Sequence, residues 1–337
     1  MRKIDPEILA QKIKEGDRFA LSRAITLAES NRLDDLKLAQ HIISLLPVSK
    51  TSKRIAITGI PGVGKSTFIE SLGKYILSKG EKVAILAIDP SSSLSKGSIL
   101  GDKTRMEDLS REENAYIRPS ASNGSLGGVT SRTYEAILLC EAAGFENILI
   151  ETVGVGQSET LVNEISDLFL FLQLPGSGDD LQGIKRGIME MADLIFVNKS
   201  DSFQEKLVKD AKLDIVRSLQ FLPTKSSQWK RKSIIGSGLI GKGIPELWEL
   251  VNDYFNFINE NNYYASNREK QQLNQAERYT IDLINQQFLK LLKEHPLELS
   301  KNLSAFEMAK DWLDQYQKLG RSLIILSFVL CLQVQNY

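Results

Sequence analysis

The sequence predicts an α/β protein in which helices flank a mostly parallel β-sheet. Short apolar strand patterns alternate with helical patterns from Arg54 to about Phe257, as expected for a sheet covered on both faces. A glycine-rich segment that fits the phosphate-loop pattern G-x-x-x-x-G-K-[S/T] follows the first strand. An N-K-x-D sequence follows a later apolar strand. Together, the two motifs point to a nucleotide site.

The first 52 residues are predicted to form an N-terminal helical extension, because their apolar residues recur at helical spacing in two stretches. The second stretch stops near Pro47, and a polar connector leads into the core, which we assign to residues 53–258. The predicted strands of this core span residues 54–58, 83–89, 115–118, 148–151, 168–173, 194–198 and 233–235.

The phosphate-loop segment lies between a β-branched strand and a helix with apolar residues at helical spacing. Its glycines would let backbone N–H groups surround a phosphate at the start of the helix. Lys65 is expected to reach the β- and γ-phosphates as a catalytic cation, and the Ser66 hydroxyl to bind Mg²⁺. The alternative is an ordinary glycine turn. The predicted nucleotide-binding residues are Gly59, Ile60, Pro61, Gly62, Val63, Gly64, Lys65, Ser66 and Thr67.

The sequence Asn198-Lys199-Ser200-Asp201 predicts recognition of guanine. The Asp201 carboxylate would accept hydrogen bonds from N1–H and the 2-amino group, two donors that adenine lacks, so GTP is favoured over ATP. A turn with a helix N-cap is the alternative, since Ser and Asp are good caps. Ser237, Gly238 and Leu239 are the predicted loop that closes on the base, although its glycines also suit a plain turn.

Three carboxylates are candidates for the metal and for the attacking water. Asp89 and Glu151 end predicted strands, where they would reach the phosphate edge of a parallel sheet. Asp102 lies in a polar loop, and Asp102 and Glu151 are also the candidate catalytic acids. Each is alternatively a solvated loop carboxylate. No water-orienting glutamine is fixed by spacing. Weaker candidates, for orienting water or stabilising charge, are Gln157, Gln182, Arg105, Lys185 and Arg186.

Composition excludes several functions. The formal net charge of zero gives no reason to expect nucleic acid or an anionic membrane as a partner. Two histidines and two cysteines, all separated in sequence, argue against a histidine metal cluster, a Ser/His/Asp triad and a disulfide framework. The first residues lack an apolar signal core. We therefore expect a cytoplasmic protein.

The C-terminal part has no strand pattern and is predicted to be a helical arm over residues 259–320, with helices at 267–294 and 304–318. Residues 321–337 form an apolar tail of unknown role. Its run SLIILSFVLCLQV is too short to span a bilayer comfortably as a helix. Three interpretations are open: a buried terminal segment, a peripheral membrane contact, or a chain end altered by a sequence or reading-frame change.

Eight segments, in order, resemble the MeaB/ArgK family, and the resemblance covers about residues 15–318. They read GDRFALSRAITLAES (16–30), DPSSS (89–93), GSILGDKTRM (97–106), IRPS (117–120), GSLGGV (124–129), LCEAAGF (139–145), ETVGVGQSE (151–159) and LPGSGDDLQGIK (174–185).

The resemblance implies a SIMIBI-type P-loop GTPase that chaperones an adenosylcobalamin-dependent methylmalonyl-CoA mutase. It also implies homodimerisation through the C-terminal arm, and gating of cofactor loading and of mutase protection by GTP hydrolysis. Asp89, Asp102 and Glu151 would belong to the metal and switch elements, and 175–185 would be an extra switch. The base loop has Ser-Gly-Leu where the family often has Ser-Ala.

Two other functions remain open from the sequence. One is an ATP-dependent kinase of a transport-system binding protein, an older description of this family, against which the N-K-x-D sequence argues. The other is a GTPase that delivers nickel or another metal, which would favour clustered His or Cys ligands. We also expect intrinsic hydrolysis to be slow and to be accelerated by a partner, because no arginine finger is certain in the sequence.

Overall fold

The structure is a computed structural model, and it describes residues 4–30, 32–49, 51–89, 106–121, 126–152, 158–176, 182–297 and 303–314. The chain divides into two compact units between Gln275 and Ala276. The first unit contains the sheet and the predicted nucleotide site. The apolar tail at 321–337 lies outside the described residues.

All seven predicted strands are present, and every pair is parallel. The sheet order is β3-β2-β4-β1-β5-β6-β7, which places β1 in the centre. The predicted fold class is confirmed. The strands are β1 (Lys53–Gly59), β2 (Val83–Asp89), β3 (Ala115–Ala121), β4 (Asn147–Thr152), β5 (Leu168–Gln173), β6 (Leu194–Val197) and β7 (Lys232–Ile235).

Helices lie between the strands and at both ends of the described chain. They are α1 (Pro6–Lys14), α2 (Arg18–Ala28), α3 (Leu33–Ser44), α4 (Lys65–Ser78), α5 (Glu107–Ser110), α6 (Leu126–Ala142), α7 (Ser158–Asn163), α8 (Gln182–Met191), α9 (Glu205–Gln220), α10 (Ile244–Glu260), α11 (Tyr263–Glu294) and α12 (305–314).

Alternate residues of the central strand serve two hydrophobic cores, one on each face of the sheet. In β1, Ile55 and Ile57 pack into the core shared with α4 and α10, whereas Ala56 packs into the core shared with α6 and the N-terminal helices. This period of two follows from the alternation of side chains along a strand. Because both faces are buried, the strands are nearly continuous apolar runs.

The predicted N-terminal helical extension forms α1–α3, which belong to the first unit and share its hydrophobic core with α6. Asp5 and Asp17 accept hydrogen bonds from the first backbone N–H groups of α1 and α2, which fixes where these helices begin. Arg118 of β3 forms an ion pair with Glu29, and the hydroxyl groups of Ser22 and Tyr116 lie 3.1 Å apart. These polar contacts join the extension to the edge of the sheet.

A buried ion cluster lies where β1 begins, at the opposite end of that strand from the phosphate loop. Arg54 donates to both carboxylate oxygens of Glu141, at 2.8 Å each. Arg268 donates at 2.7 Å to each oxygen of Asp167 and at 2.9 Å to Glu141. Gln271 accepts from Arg54 at 2.8 Å. The ion cluster fastens the first three turns of α11 to the central strand.

The second unit consists, in its described part, of the end of α11 and helix α12. Ser304 and Glu307 form a reciprocal capping box at the start of α12, with distances of 2.8 and 3.2 Å. The Trp312 indole donates to the carbonyl of His295 at 2.8 Å. Several large apolar side chains of this unit are exposed, namely Ile281, Leu283, Ile284, Leu289 and Phe306.

Candidate nucleotide site

The phosphate loop runs from the end of β1 to the first turn of α4. Gly62 and Gly64 have φ angles of 81° and 91°, in the left-handed region that favours glycine. A Cβ at Gly59 would lie 2.7 Å from the Leu172 carbonyl oxygen of β5, so this position also requires glycine. The predicted residues 59–67 therefore adopt the strand, loop and helix start on which phosphate binding depends.

Lys65 begins α4 and turns back over the loop. Its ammonium donates to the Gly59 carbonyl at 2.8 Å. Burial lowers the pKa of the Lys65 ammonium below its ordinary value, and the carboxylates of Glu151 and Glu159 oppose that shift. Lys65 is thus a cation held inside the loop, at the place where phosphate charge would enter.

Two side chains predicted to bind Mg²⁺ through oxygen lie close to each other in the first turn of α4 and at the end of β4. The Ser66 hydroxyl donates to Glu151 Oε1 at 3.3 Å, and Glu151 pairs in register with Ile57 of β1. Hydroxyl and carboxylate oxygens suit Mg²⁺, so the chemistry of this pair fits the ion. Asp89 is the last residue of the neighbouring strand β2. Within the described part of the chain, no group of three His, Cys, Asp or Glu side chains could hold a metal ion.

Asn198 joins the phosphate loop to the predicted base loop. Its side chain is buried, its Nδ2 donates to the Val63 carbonyl at 2.8 Å, and its Oδ1 accepts from the Gly238 N–H at 2.8 Å. Lys199 adopts a φ of 60° and donates to the Gly62 carbonyl at 2.8 Å. Sequence reasoning placed both residues near the base, but it did not predict that they hold the phosphate loop.

Asp201 is exposed at the end of this motif, where a base could meet it. Hydrogen bonds from the hydroxyl groups of Ser237 and Ser202 lower the pKa of the Asp201 carboxyl below its ordinary value. The carboxylate is therefore charged at neutral pH and fixed in direction, as an acceptor for two base donors needs to be.

The base loop of Ser237, Gly238 and Leu239 lies against the first turn of α4. A Cβ at Gly238 would lie 2.7 Å from the Phe68 Cα, so this backbone position has no room for a side chain. Leu239 is exposed at the rim of the site. The residues predicted to bind phosphate, metal and base thus lie together at the carboxyl edge of β1, β4, β6 and β7.

Sequence reasoning missed a buried polar relay behind the phosphate loop. Thr152 donates to Thr58 at 2.8 Å, and Thr58 donates to Glu159 Oε1 at 3.5 Å. All three side chains are fully buried. In the sequence, these contacts could have been suspected only from a threonine near the end of each of two apolar strands. Polar residues near strand ends are too common for that pattern to predict a contact.

Several candidates cannot be placed. Asp102, Arg105 and Gln157 lie outside the described residues. Gln182, Lys185 and Arg186 belong to helix α8, but their side chains lie outside the described part of the structure. Their roles remain predictions. Over the residues with described positions, no helix is long and apolar enough to cross a membrane.

Comparison with known proteins gives consistent matches. Residues 21–295 match the family described as methylmalonyl Co-A mutase-associated GTPase MeaB. The GTPase ArgK of Escherichia coli is 45% identical over 245 residues, covering 72% of this chain and 74% of the relative. The mouse protein named methylmalonic aciduria type A homolog, mitochondrial, is 42% identical over 293 residues, covering 84% and 70%.

A solved structure is also similar. The structure described as an LAO/AO transport system kinase superposes with a TM-score of 0.72 at 30% identity, covering 94% of this chain and 99% of that one.

Proposed function

Because this chain belongs to the family of methylmalonyl Co-A mutase-associated GTPases, MeaB, we propose that it gates cofactor loading and protection of an adenosylcobalamin-dependent methylmalonyl-CoA mutase by binding and hydrolysing GTP. The names of the relatives support the GTPase activity directly. The structural observation that best supports this proposal is that the Asn198 side chain bonds to both Val63 and Gly238. These two hydrogen bonds bring the phosphate loop and the predicted guanine-recognition sequence together.

Different residues of the proposed site would bind the phosphates, the base and Mg²⁺. Backbone N–H groups of residues 60–67 and the Lys65 ammonium would hold the β- and γ-phosphates. Asp201 would accept from the two guanine donors, and Asn198 and Lys199 would hold the base loop against the phosphate loop. Ser66, with Asp89, Asp102 and Glu151, would hold Mg²⁺, which when bound offsets phosphate charge.

The switch would arise at the end of β4. Glu151 begins the sequence Glu-Thr-Val-Gly, which we expect to sense the γ-phosphate, and Glu151 and Thr152 are its described residues. Contacts to the γ-phosphate and Mg²⁺ hold such a segment, and hydrolysis releases it. A partner mutase would then meet different surfaces in the GTP and GDP states. The resemblance to the family implies that 175–185 is a second switch.

We also propose that the C-terminal arm forms a homodimer. The exposed apolar side chains of the second unit, such as Ile281, Ile284 and Leu289, would be buried against another copy of this chain. Sedimentation velocity over a range of concentrations tests this proposal. A species with the mass of one chain at every concentration would contradict it.

The nucleotide test is a calorimetric titration with GTP and with ATP, each with Mg²⁺. We expect at least about 100-fold tighter binding of GTP, because adenine would leave the Asp201 carboxylate without its donors. Equal affinities would overturn the guanine assignment. The similar structure described as a transport-system kinase makes ATP-dependent protein phosphorylation the second candidate, and tighter binding of ATP would favour it.

The partner test compares GTP hydrolysis with and without a purified adenosylcobalamin-dependent methylmalonyl-CoA mutase. We expect the mutase to accelerate hydrolysis, because a partner can supply the missing stabilisation of transition-state charge. An unchanged rate, together with no co-elution of the two proteins, would contradict the chaperone role. The free Cys140 suits the reducing cytoplasm, where we propose that the protein acts.

A further inference from the structure

A pair of aromatic side chains lies next to the predicted base loop. Phe68 belongs to the first turn of α4, directly after the phosphate loop, and Phe196 belongs to β6, two residues before Asn198. Both side chains are fully buried, and their ring centroids lie 4.9 Å apart with the ring planes tilted by 57°. Tilted rings at this separation attract each other in addition to burying apolar surface, so this aromatic pair joins α4 to β6.

The backbone of the base loop packs directly against the aromatic pair. A Cβ at Gly236 would lie 2.3 Å from Phe196 Cζ, and a Cβ at Gly238 would lie 2.7 Å from the Cα of Phe68. Only a residue without a side chain can come so close to its neighbours. Gly236 therefore lies against the Phe196 ring, and Gly238 lies against the α4 backbone at Phe68.

The same two glycines also hold the guanine-recognition sequence. The Gly236 carbonyl accepts a hydrogen bond from the Ser200 N–H at 3.0 Å, and the Gly238 N–H donates to Asn198 Oδ1 at 2.8 Å. Ser200 directly precedes Asp201, the predicted acceptor for the guanine donors. The place of the Asp201 backbone therefore depends on where the aromatic pair holds the base loop.

We propose that Phe68 and Phe196 are positioning residues for guanine recognition, which fix the base loop and Asp201 relative to the phosphate loop. The inference rests on the proposed function, since it assumes that a guanine nucleotide spans the two loops. Because both rings are fully buried, they act through the two glycines and not by contact with the nucleotide. Hydrogen bonds weaken steeply with poor distance and angle, so a shift of the base loop would reduce base discrimination.

The test compares the affinities for GDP and for inosine diphosphate (IDP), each with Mg²⁺, by calorimetry. Hypoxanthine keeps the N1–H of guanine but lacks its 2-amino group, so the ratio of the affinities reports one hydrogen bond to Asp201. We expect the unaltered protein to prefer GDP at least about tenfold, because hydrogen bonds to charged groups are strong. Phe196→Leu should reduce this preference to about threefold or less, because the smaller side chain no longer supports Gly236.

Phe169→Leu is the matched control. Phe169 is as fully buried as Phe196 and lies in the neighbouring strand β5, but it packs into the core on the opposite face of the sheet. The same substitution there should lower stability and leave the ratio of GDP to IDP affinity unchanged. A merely structural role for Phe196 predicts an unchanged ratio in both variants, so that result would overturn the inference. An equal fall of the ratio in the control would also overturn it.

Phe68→Leu is a second variant, from the other member of the aromatic pair. It removes the ring that packs against Phe196, and we expect it to lower the preference for GDP to about threefold or less as well. If Phe196→Leu cannot be purified, Phe68→Leu decides the question. If neither variant folds even with GDP and Mg²⁺ present, the aromatic pair serves folding and the inference is wrong.

Failure of the inference and failure of the proposed function are distinguishable. If the unaltered protein prefers GDP to IDP and both variants keep that preference, only the inference is wrong. If the unaltered protein binds no guanine nucleotide, or binds GDP and IDP equally well, the proposed recognition of guanine by Asp201 fails first.

Discussion

Replacing Glu141 by glutamine should destabilise the first unit in a strongly pH-dependent way. Burial alone would raise the pKa of the Glu141 carboxyl, but the guanidinium groups of Arg54 and Arg268 and the Ser52 hydroxyl outweigh it and lower the pKa from 4.5 to about 2. At about 1.4 kcal/mol per pH unit, this difference corresponds to about 3 kcal/mol of free energy of unfolding at pH 7.

The sign follows from the lowered pKa. The folded state binds the proton less readily than the unfolded state, so the stabilisation is complete above about pH 5 and is lost as the pH falls toward 2. By the same relation, about 1 kcal/mol should remain at pH 3. Glutamine cannot titrate, and it also leaves two buried guanidinium groups with fewer acceptors, which typically costs about 3–5 kcal/mol.

Urea unfolding followed by tryptophan fluorescence, at several pH values between 7 and 3, measures this difference. Glu113→Gln is the control, because Glu113 is exposed and the same change there should be nearly neutral. We expect the gap between the unaltered protein and Glu141→Gln to shrink by about 2 kcal/mol over this range. A gap that is constant with pH would refute the claim that the ion cluster stabilises the fold through an ionised Glu141.

Three further changes test the site. Asp201→Ala should weaken GTP binding about 100-fold and leave ATP binding unchanged, because only guanine presents two donors to the carboxylate; calorimetry measures both. Lys65→Ala should lower the hydrolysis rate at least about 100-fold with an unchanged circular dichroism spectrum, as measured by phosphate release. Gly238→Ala places a Cβ 2.7 Å from the Phe68 Cα, so it should lower the free energy of unfolding by about 1–3 kcal/mol, as measured by thermal unfolding. The control is Gly187→Ala, whose Cβ meets no atom within 4 Å and which should not lower it.

The sequence was sufficient to predict the fold because the strands are unambiguous. Each predicted strand is a short apolar run, and β2 and β5 begin and end where predicted. Parallel strands buried on both faces give such runs, which local pattern detects well. The predicted strand 194–198 is one residue too long, since β6 ends at Val197 and Asn198 turns away to hold two loops.

The contacts of the site could not be predicted in the same way. Val63, Asn198 and Gly238 are far apart in sequence, and they meet only because the sheet order brings the ends of β1, β6 and β7 to one edge. A motif predicts which residues bind a nucleotide, but the sheet order decides which of them also hold one another. Asn198 therefore has a structural role that its motif does not reveal.

The ion cluster and the hydroxyl relay were missed for a related reason. Four separate parts of the chain supply the ion cluster, and no spacing relates them: β1 (Arg54), α6 (Glu141), the residue just before β5 (Asp167) and α11 (Arg268). Buried charges also contradict the usual expectation that such residues lie at the surface. Only the three-dimensional arrangement shows that each charge has a partner.

Arg268 has a practical consequence for anyone who shortens this protein. A fragment cut after Glu260, where α10 ends, would lose Arg268 and Gln271, and Arg54 would be the one arginine of the ion cluster left beside Glu141 and Asp167. Minimal fragments for crystallisation or ligand screening should therefore extend at least to Gln275, even though every nucleotide-binding motif ends well before it.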